Sequence, residues 1–227
     1  DRTGGSGVTL RRLAAWFWGM AAILAMLLTI VDLQALDTGW YDDWYRHSDL
    51  AERLDVPEES LEEAMSMMLE YVRGDRSTMD GSLAGIGEVY NAREKAHMKD
   101  VRHLYEQAMA AKYTAWTIVG LGVVIAGWKK AWKTLALGYL QAGLCWLFLL
   151  AFLGLWAATG FTDFWTHFHE LFFDNDLWLL DPATDFMIRI CPESLFFDLV
   201  IRIVLEITAV AVTGGVVSWL VLRSGRR

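Results

Sequence analysis

Residues 134–158 read TLALGYLQAGLCWLFLLAFLGLWAA, 25 positions without a charged side chain. As an α-helix this stretch is about 37 Å long, more than the ~30 Å of hydrocarbon in a bilayer. Two more stretches are likewise uncharged, Leu13–Val31 and Tyr113–Trp128, and a third, Leu195–Leu222, is apolar apart from Asp198, Arg202 and Glu206. The second is the shortest and is read as starting near residue 111. The sequence therefore predicts an all-α integral membrane protein with four transmembrane helices, at about 13–31, 111–128, 134–158 and 195–222. All 227 residues are expected to form a single membrane domain.

Lys and Arg collect on one side of this arrangement. Arg11 and Arg12 precede the first span, Lys129, Lys130 and Lys133 separate the second and third, and Arg223, Arg226 and Arg227 follow the fourth. Short-loop basic bias predicts both termini in the cytoplasm. The two remaining segments, 32–110 and 159–194, are acidic and are expected to build a helical extracytoplasmic cap. A net charge of −8, carried mostly there, argues against a nucleic-acid partner. The first apolar run is too long for a cleaved signal peptide, and no small-residue cleavage pattern follows Val31. Cys145 falls mid-span and Cys191 in the second outer segment, so a disulfide between them would need improbable geometry.

The outer segments hold the polar chemistry. Trp40-Tyr-Asp-Asp-Trp-Tyr45 suits the headgroup layer either as an interfacial belt or as an aromatic wall around a lipid-like substrate. Asp55-Val-Pro-Glu-Glu59 reads as a helix start, with Asp55 as cap. Leu61, Ala64, Met65, Met68, Leu69 and Val72 then form one apolar face, which Gly74 ends. From Asn91 the pattern is helical again and can run directly into the second span. Glu94, His97 and Val101 share a face there, with Asp100 near His97. A carboxylate one turn away can accept from an imidazole N–H and raise its basicity. A solvated charged helix explains the same spacing, since Arg93, Lys95, Lys99 and Arg102 are close by.

In Phe161-Thr-Asp-Phe-Trp-Thr-His-Phe-His-Glu-Leu-Phe-Phe173, helical geometry groups Trp165, His169, Phe172 and Phe173 on one face. His169 is thereby set among aromatics and His167 turned away. Desolvation in such a setting keeps an imidazole neutral, as a general base requires. Asp181 and Asp185 read as caps that can also orient a histidine. Asp198, Arg202 and Glu206 follow at four-residue spacing, a charge ladder that is either a functional site or a self-neutralising lock between helices.

No metal or cofactor is expected. Phe173 stands where an HExxH motif needs its second histidine, no cysteine pair has ligand spacing, and no span contains a histidine for haem. A Gly-x-Ser-x-Gly nucleophile elbow is absent as well.

These residues together resemble the lipoprotein intramolecular transacylase family of bacterial membrane proteins. The likeness is carried by Arg93-Glu94, His97-Met98 and Asp100-Val101, then Phe168-His169 with Phe172-Phe173. Trp178, Asp181-Pro182, Asp185, Pro192 and Phe196-Phe197 complete it, over nearly the whole chain. The resemblance implies a metal-independent acyltransferase of the bacterial cytoplasmic membrane, with cap and active site on the extracellular side. Its substrate would be a diacylglyceryl-modified lipoprotein held in membrane lipid. The sn-2 acyl chain would move to the α-amino group of the N-terminal cysteine, giving the lyso form. His97 and His169 match the family's catalytic histidines, as acid/base and oxyanion-stabilising groups whose roles can be exchanged. Glu94, Asp100, Asp185 and Arg202 are expected to support them, and Trp40, Tyr41, Trp165, Phe168, Phe172 and Phe173 to bind substrate. A monomer is expected. Two other readings stay open, a non-catalytic lipid-binding or accessory membrane protein and a small-solute transporter using the charge ladder. The catalytic reading expects the two imidazoles within about 10 Å of each other beside an interfacial, aromatic-lined cavity, whereas the non-catalytic reading expects them far apart or sealed off from any cavity by aromatics.

Overall fold

The computed structural model describes residues 3–84 and 86–224. Arg226 and Arg227, counted above in the charge bias, lie outside them. Four long helices dominate, α1 (Thr3–Ala35), α5 (Ala92–Lys129), α6 (Trp132–Thr159) and α9 (Glu193–Arg223). Short helices lie between them, namely α2 (Thr38–His47), α3 (Leu50–Leu54), α4 (Glu58–Arg73), α7 (Phe161–Phe172) and α8 (Met187–Ile190). The strands are β1 (Ser82–Leu83) and β2 (Gly87–Glu88), an antiparallel pair.

Among the described residues, three helices are long and apolar enough to cross a membrane, at Thr9–Ala35, Ala92–Lys129 and Trp132–Thr159. Their outward faces show why water is a poor solvent for them. On α6, Leu144, Phe148, Phe152 and Leu155 are exposed, and on α5 so are Leu121, Val124 and Ile125. Contiguous apolar surface of this extent is stable against lipid, where every backbone group is already satisfied within its helix. As expected, α5 continues unbroken from polar residues into an apolar run.

The chain packs as two units. One comprises 1–31, 109–156 and 201–227, the other 32–108 and 157–200.

In the first unit, small residues let backbones approach. A Cβ at Gly138 would overlap the carbonyl oxygen of Ala15, and one at Gly19 would strike Gly138 in return. Beside this α1–α6 contact, Ile23, Ala22, Tyr139 and Ala142 are buried among Trp16, Trp18 and Trp146. Such close approach replaces the hydrophobic drive that lipid does not supply. Polar groups finish the bundle. Trp18 Nε1 donates to Val119 O at 3.1 Å, and the Tyr139 hydroxyl to Ala211 O at 3.2 Å. Ile30, Leu150 and Ile207 form a second buried cluster of α1, α6 and α9.

In the second unit, the expected apolar face of α4 is buried in full, and α4 packs on α2. Gly74 ends α4 in the left-handed conformation, φ 96°. Asp55 does not cap α4. It adopts φ 54° and terminates α3, leaving Pro57 before the first turn of α4 without a side-chain cap. Two buried tyrosines fasten the loops, Tyr45 Oη donating to Ile190 O at 2.8 Å and Tyr90 Oη to Ala64 O at 2.7 Å. Tyr41 is also core, 3% exposed, with its hydroxyl donating to Ala35 O. It is therefore not an open wall for substrate, whereas its neighbour Trp40 is half-buried and meets it edge-on.

Candidate active site

The second unit brings His97 and His169 together, and the local sequence shows how. Asn91-Ala-Arg-Glu94 forms a capping box at the start of α5. The Asn91 side chain accepts from Glu94 N at 3.1 Å, and Glu94 Oε2 accepts from Asn91 N at 2.7 Å. Glu94 Oε1 also accepts from Met187 N at 2.5 Å, tying the start of α5 to α8. His97 follows one turn later, buried together with Met98. On the other side, α7 ends where Phe173 N donates to His169 O at 2.8 Å. This last turn carries His169 inward.

The two imidazole centroids are 6.1 Å apart. Phe173 meets both rings, at 5.3 Å from His97 and 5.7 Å from His169. Trp165 contacts His169 edge-on at 4.8 Å, Phe168 likewise at 5.6 Å, and Trp178 stacks on it at 4.9 Å. Trp165 belongs to a longer aromatic stack with Phe161, Phe168 and Phe196. Phe172 departs from the expected grouping. It is the last residue of α7, packs on Phe168 and is 47% exposed.

His169 Nδ1 lies 2.7 Å from Trp165 O. A carbonyl only accepts, so Nδ1 bears the proton and Nε2 is left with a lone pair. Burial lowers the pKa of this imidazole, with the Trp165 carbonyl opposing. His97 is pushed down to about 4 by burial, then by His169 and Arg93, against the pull of Asp100. Its Nδ1 is buried and has no hydrogen-bond partner among the described residues. Both rings are accordingly neutral at pH 7. The pair resembles a base with fixed tautomer facing a second imidazole whose ring nitrogen is uncommitted.

The expected supporting carboxylates are near but engaged elsewhere. Glu94 serves the two backbone donors rather than an imidazole. Asp100 Oδ2 accepts from Asn175 Nδ2 at 2.9 Å, not from His97. Asp185 is buried, accepting from Asn91 Nδ2 and Asp181 N at 2.7 Å each, and these donors hold its carboxyl low. Arg202 belongs to the first unit, where its Nε lies 3.7 Å from Glu206. Asp198 accepts from Trp44 Nε1 at 2.9 Å. Among the described residues, no three His, Cys, Asp or Glu side chains converge as metal ligands. Cys191 is a buried free thiol, pushed up to about 12 by burial. Two grooves, of about 520 and 420 Å³, lie in the first unit along Tyr139, Gly214 and Trp18, and neither is lined by His97 or His169.

Two predictions follow directly from these contacts. Glu94→Ala orphans the buried N–H of Met187, costing about 1–3 kcal/mol, and removes the partner of the part-buried N–H of Asn91. The thermal midpoint in detergent should drop accordingly, and an unchanged midpoint would contradict the link. The second concerns pH. The unfolded chain protonates these histidines near 6.5, whereas the folded chain resists, so stability is lost as pH falls below 6.5 and levels off near 4. For His97 alone the effect is on the order of 3 kcal/mol. His97→Gln should flatten the dependence of melting temperature on pH across that window.

A predominantly helical chain with lipid-compatible faces is an integral membrane protein, and this one holds a buried imidazole pair. Within that class, the family described as lipoprotein intramolecular transacylase Lit matches residues 16–197, and the chain belongs to it. Among solved structures, the membrane integral lipoprotein intramolecular transacylase Lit from Bacillus cereus is similar at TM-score 0.75 and 20% identity. That alignment covers 96% of this chain and 95% of the other. Two variants of the same Bacillus cereus protein, with one histidine replaced by arginine or by alanine, give TM-scores of 0.70 and 0.73. They are 20% and 19% identical, over 97% and 98% of this chain and 92% and 97% of theirs. At this identity the likeness is one of fold. Among curated proteins none matches.

Trp178 and Asn175 carry contacts that sequence reasoning did not assign. Trp178 entered only as a motif residue, because no periodicity marks which way a side chain points in an irregular turn. Asn91-x-x-Glu94 was open to detection, since it is a capping-box spacing.

Proposed function

We propose that this protein moves the sn-2 acyl chain of a diacylglyceryl-modified lipoprotein to the α-amino group of its N-terminal cysteine. The product is the lyso form, N-acyl S-monoacylglyceryl cysteine. The observation that carries the proposal is the pair of buried, neutral imidazoles 6.1 Å apart, in a chain of the transacylase family. Both come from one chain, so a monomer suffices.

The chemistry follows from the tautomers. The substrate amine has an ordinary pKa of 7.7–8.0, leaving roughly a tenth to a sixth unprotonated at pH 7. As that amine attacks the ester carbonyl, Nε2 of His169 accepts its proton. His97 stabilises the oxyanion with its N–H while protonated His169 passes the proton to the departing glyceryl oxygen, or His97 donates its own proton to that oxygen and regains one from His169, so that both rings end neutral. No covalent enzyme intermediate is required, because nucleophile and ester belong to one molecule and the enzyme mainly holds them in register. Trp165, Phe168, Phe173 and the half-buried Trp40 supply an apolar cradle for that.

Topologically, we read α9 as a fourth span, with Asp198, Arg202 and Glu206 in its outer half. The segments 32–110 and 159–194 then form an extracytoplasmic cap of one membrane domain, both termini lie in the cytoplasm, and the histidines meet substrate on the extracellular side of a bacterial membrane. Arg202 is suited to an anionic headgroup.

The test is expression in a bacterial host whose lipoproteins lack the lyso form, with mass spectrometry of N-terminal lipopeptides. Appearance of N-acyl S-monoacylglyceryl cysteine is the expected result. Lipopeptides that keep both glyceryl acyl chains and a free amine would overturn the proposal. The burial of both rings, 7% and 9% exposed, favours one competing reading, a lipid-binding protein without catalysis. The same assay separates the two.

A further inference from the structure

We propose that Trp178 is a positioning residue for His169, and that Asp100 acts on the site through Asn175, which holds the turn carrying Trp178. Two contacts tie that turn to α5, and a third lies within it. Asn175 Nδ2 donates to Asp100 Oδ2 at 2.9 Å, Arg93 Nη2 donates to Asp176 O, and Asn175 Oδ1 accepts from Leu177 N at 3.0 Å to set the turn itself. The chain then folds tightly, with Leu179 N donating to Asp176 O and Leu180 N to Trp178 O. The Trp178 ring is left 4.9 Å from that of His169, at 29° to its plane.

The arrangement does two things for a base. With the Trp165 carbonyl fixing Nδ1, a stacked indole restrains the remaining rotation of the ring and keeps Nε2 aimed. It also excludes water from one face, contributing to the burial that lowers the pKa of His169. Among the described residues, the titratable side chain facing His169 across the pair is His97 on α5, which Asp100 and Arg93 influence in turn. Phe173 and Trp178 from the following loop, and Trp165 and Phe168 from α7 itself, carry no charge. His167 and Glu170 on α7 are exposed.

Asp100 therefore has two possible routes to the site, and they separate cleanly. If its charge acts on His97, Asp100→Asn is as harmful as Asp100→Ala. If it acts by holding Asn175, Asp100→Asn keeps an oxygen for that bond and restores most of what Asp100→Ala loses.

The experiment is an NMR titration of His169 in histidine-labelled, detergent-solubilised full-length protein, assigned by comparison with His169→Gln. Trp178→Ala and Asn175→Ala should each raise the His169 midpoint toward 6.5, and the double variant should raise it no further. Trp178→Phe should sit closer to the parent. Should Trp178→Ala fail to fold, Asn175→Ala and the Asp100 pair carry the test. An unmoved midpoint in Asn175→Ala, or equal effects of Asp100→Asn and Asp100→Ala, would overturn the proposal.

The rate arm rests on the transacylase reading. There Trp178→Ala should lower kcat about 10–100-fold with little change in KM, the range expected when a reacting group is misplaced by up to 1 Å. The acid limb of its pH–rate profile should move upward. A wild-type protein that does not transacylate would sink that reading alone, because the titration needs no turnover.

Discussion

His169→Ala and His97→Ala should each abolish detectable lyso-lipoprotein formation while leaving the protein folded. Of the pair, His169 has its tautomer fixed by a hydrogen bond to Trp165 O, so under the proposed mechanism its removal takes away the proton acceptor. A positioned acid or base contributes about 10²–10⁴-fold, so either loss takes the rate below what lipopeptide mass spectrometry detects. The double variant should be little worse than the singles, since groups that act as a unit are not additive. His47, His103 and His167 are exposed and serve as controls, and their alanine variants should retain full conversion. Persistent N-acylation in both site variants would remove the histidines from the mechanism. Melting temperatures measured beside the assay separate lost chemistry from lost fold.

Gly138→Leu should have the largest effect on the fold. Even a single Cβ at this position would overlap the Ala15 carbonyl, which is backbone and cannot rotate away. A leucine must push α6 off α1 and open the cluster of Ile23, Ala22, Tyr139 and Ala142. Overpacking that displaces backbone belongs with the rare changes above about 4 kcal/mol. Gly120 lies in α5 with nothing within 4 Å of an added Cβ, so Gly120→Leu should be well tolerated. The comparison is the yield and thermal midpoint of monodisperse protein in detergent. Equal behaviour of the two variants would contradict the close α1–α6 packing.

The long helices, α4 and the aromatic setting of His169 were legible in the sequence because each left a signal of composition or period, whereas His97 was marked by the family resemblance and α2 and α3 were not anticipated. Uncharged runs marked α1, α6 and the second half of α5, a mostly apolar run marked α9, and the four-residue recurrence from Leu61 to Val72 marked α4. His169 stood out from His167 by its aromatic face. What stayed hidden depends on partners remote in sequence. Helical spacing put Glu94 and Asp100 beside His97, but it could not show that Met187 N and Asn175 would claim them. Asp55 looked like a cap because its residue type suits either end of a helix, and only the left-handed φ shows that it closes α3. The two-residue strands around Gly87 are too short for any alternation to appear.

The hydrogen bond from His169 to Trp165 O bears on how the site responds to mutation. In sites where a carboxylate orients the histidine, one substitution at that acid disables the base. Here the orienting group is a main-chain carbonyl, which every residue type at position 165 supplies. Substitutions at Trp165 will therefore change how His169 is packed without changing which nitrogen holds the proton. A scan of the acidic residues for a third catalytic member should find none whose loss matches that of the histidines. The protonation pattern of this base is written into helix geometry, where point mutation has little purchase.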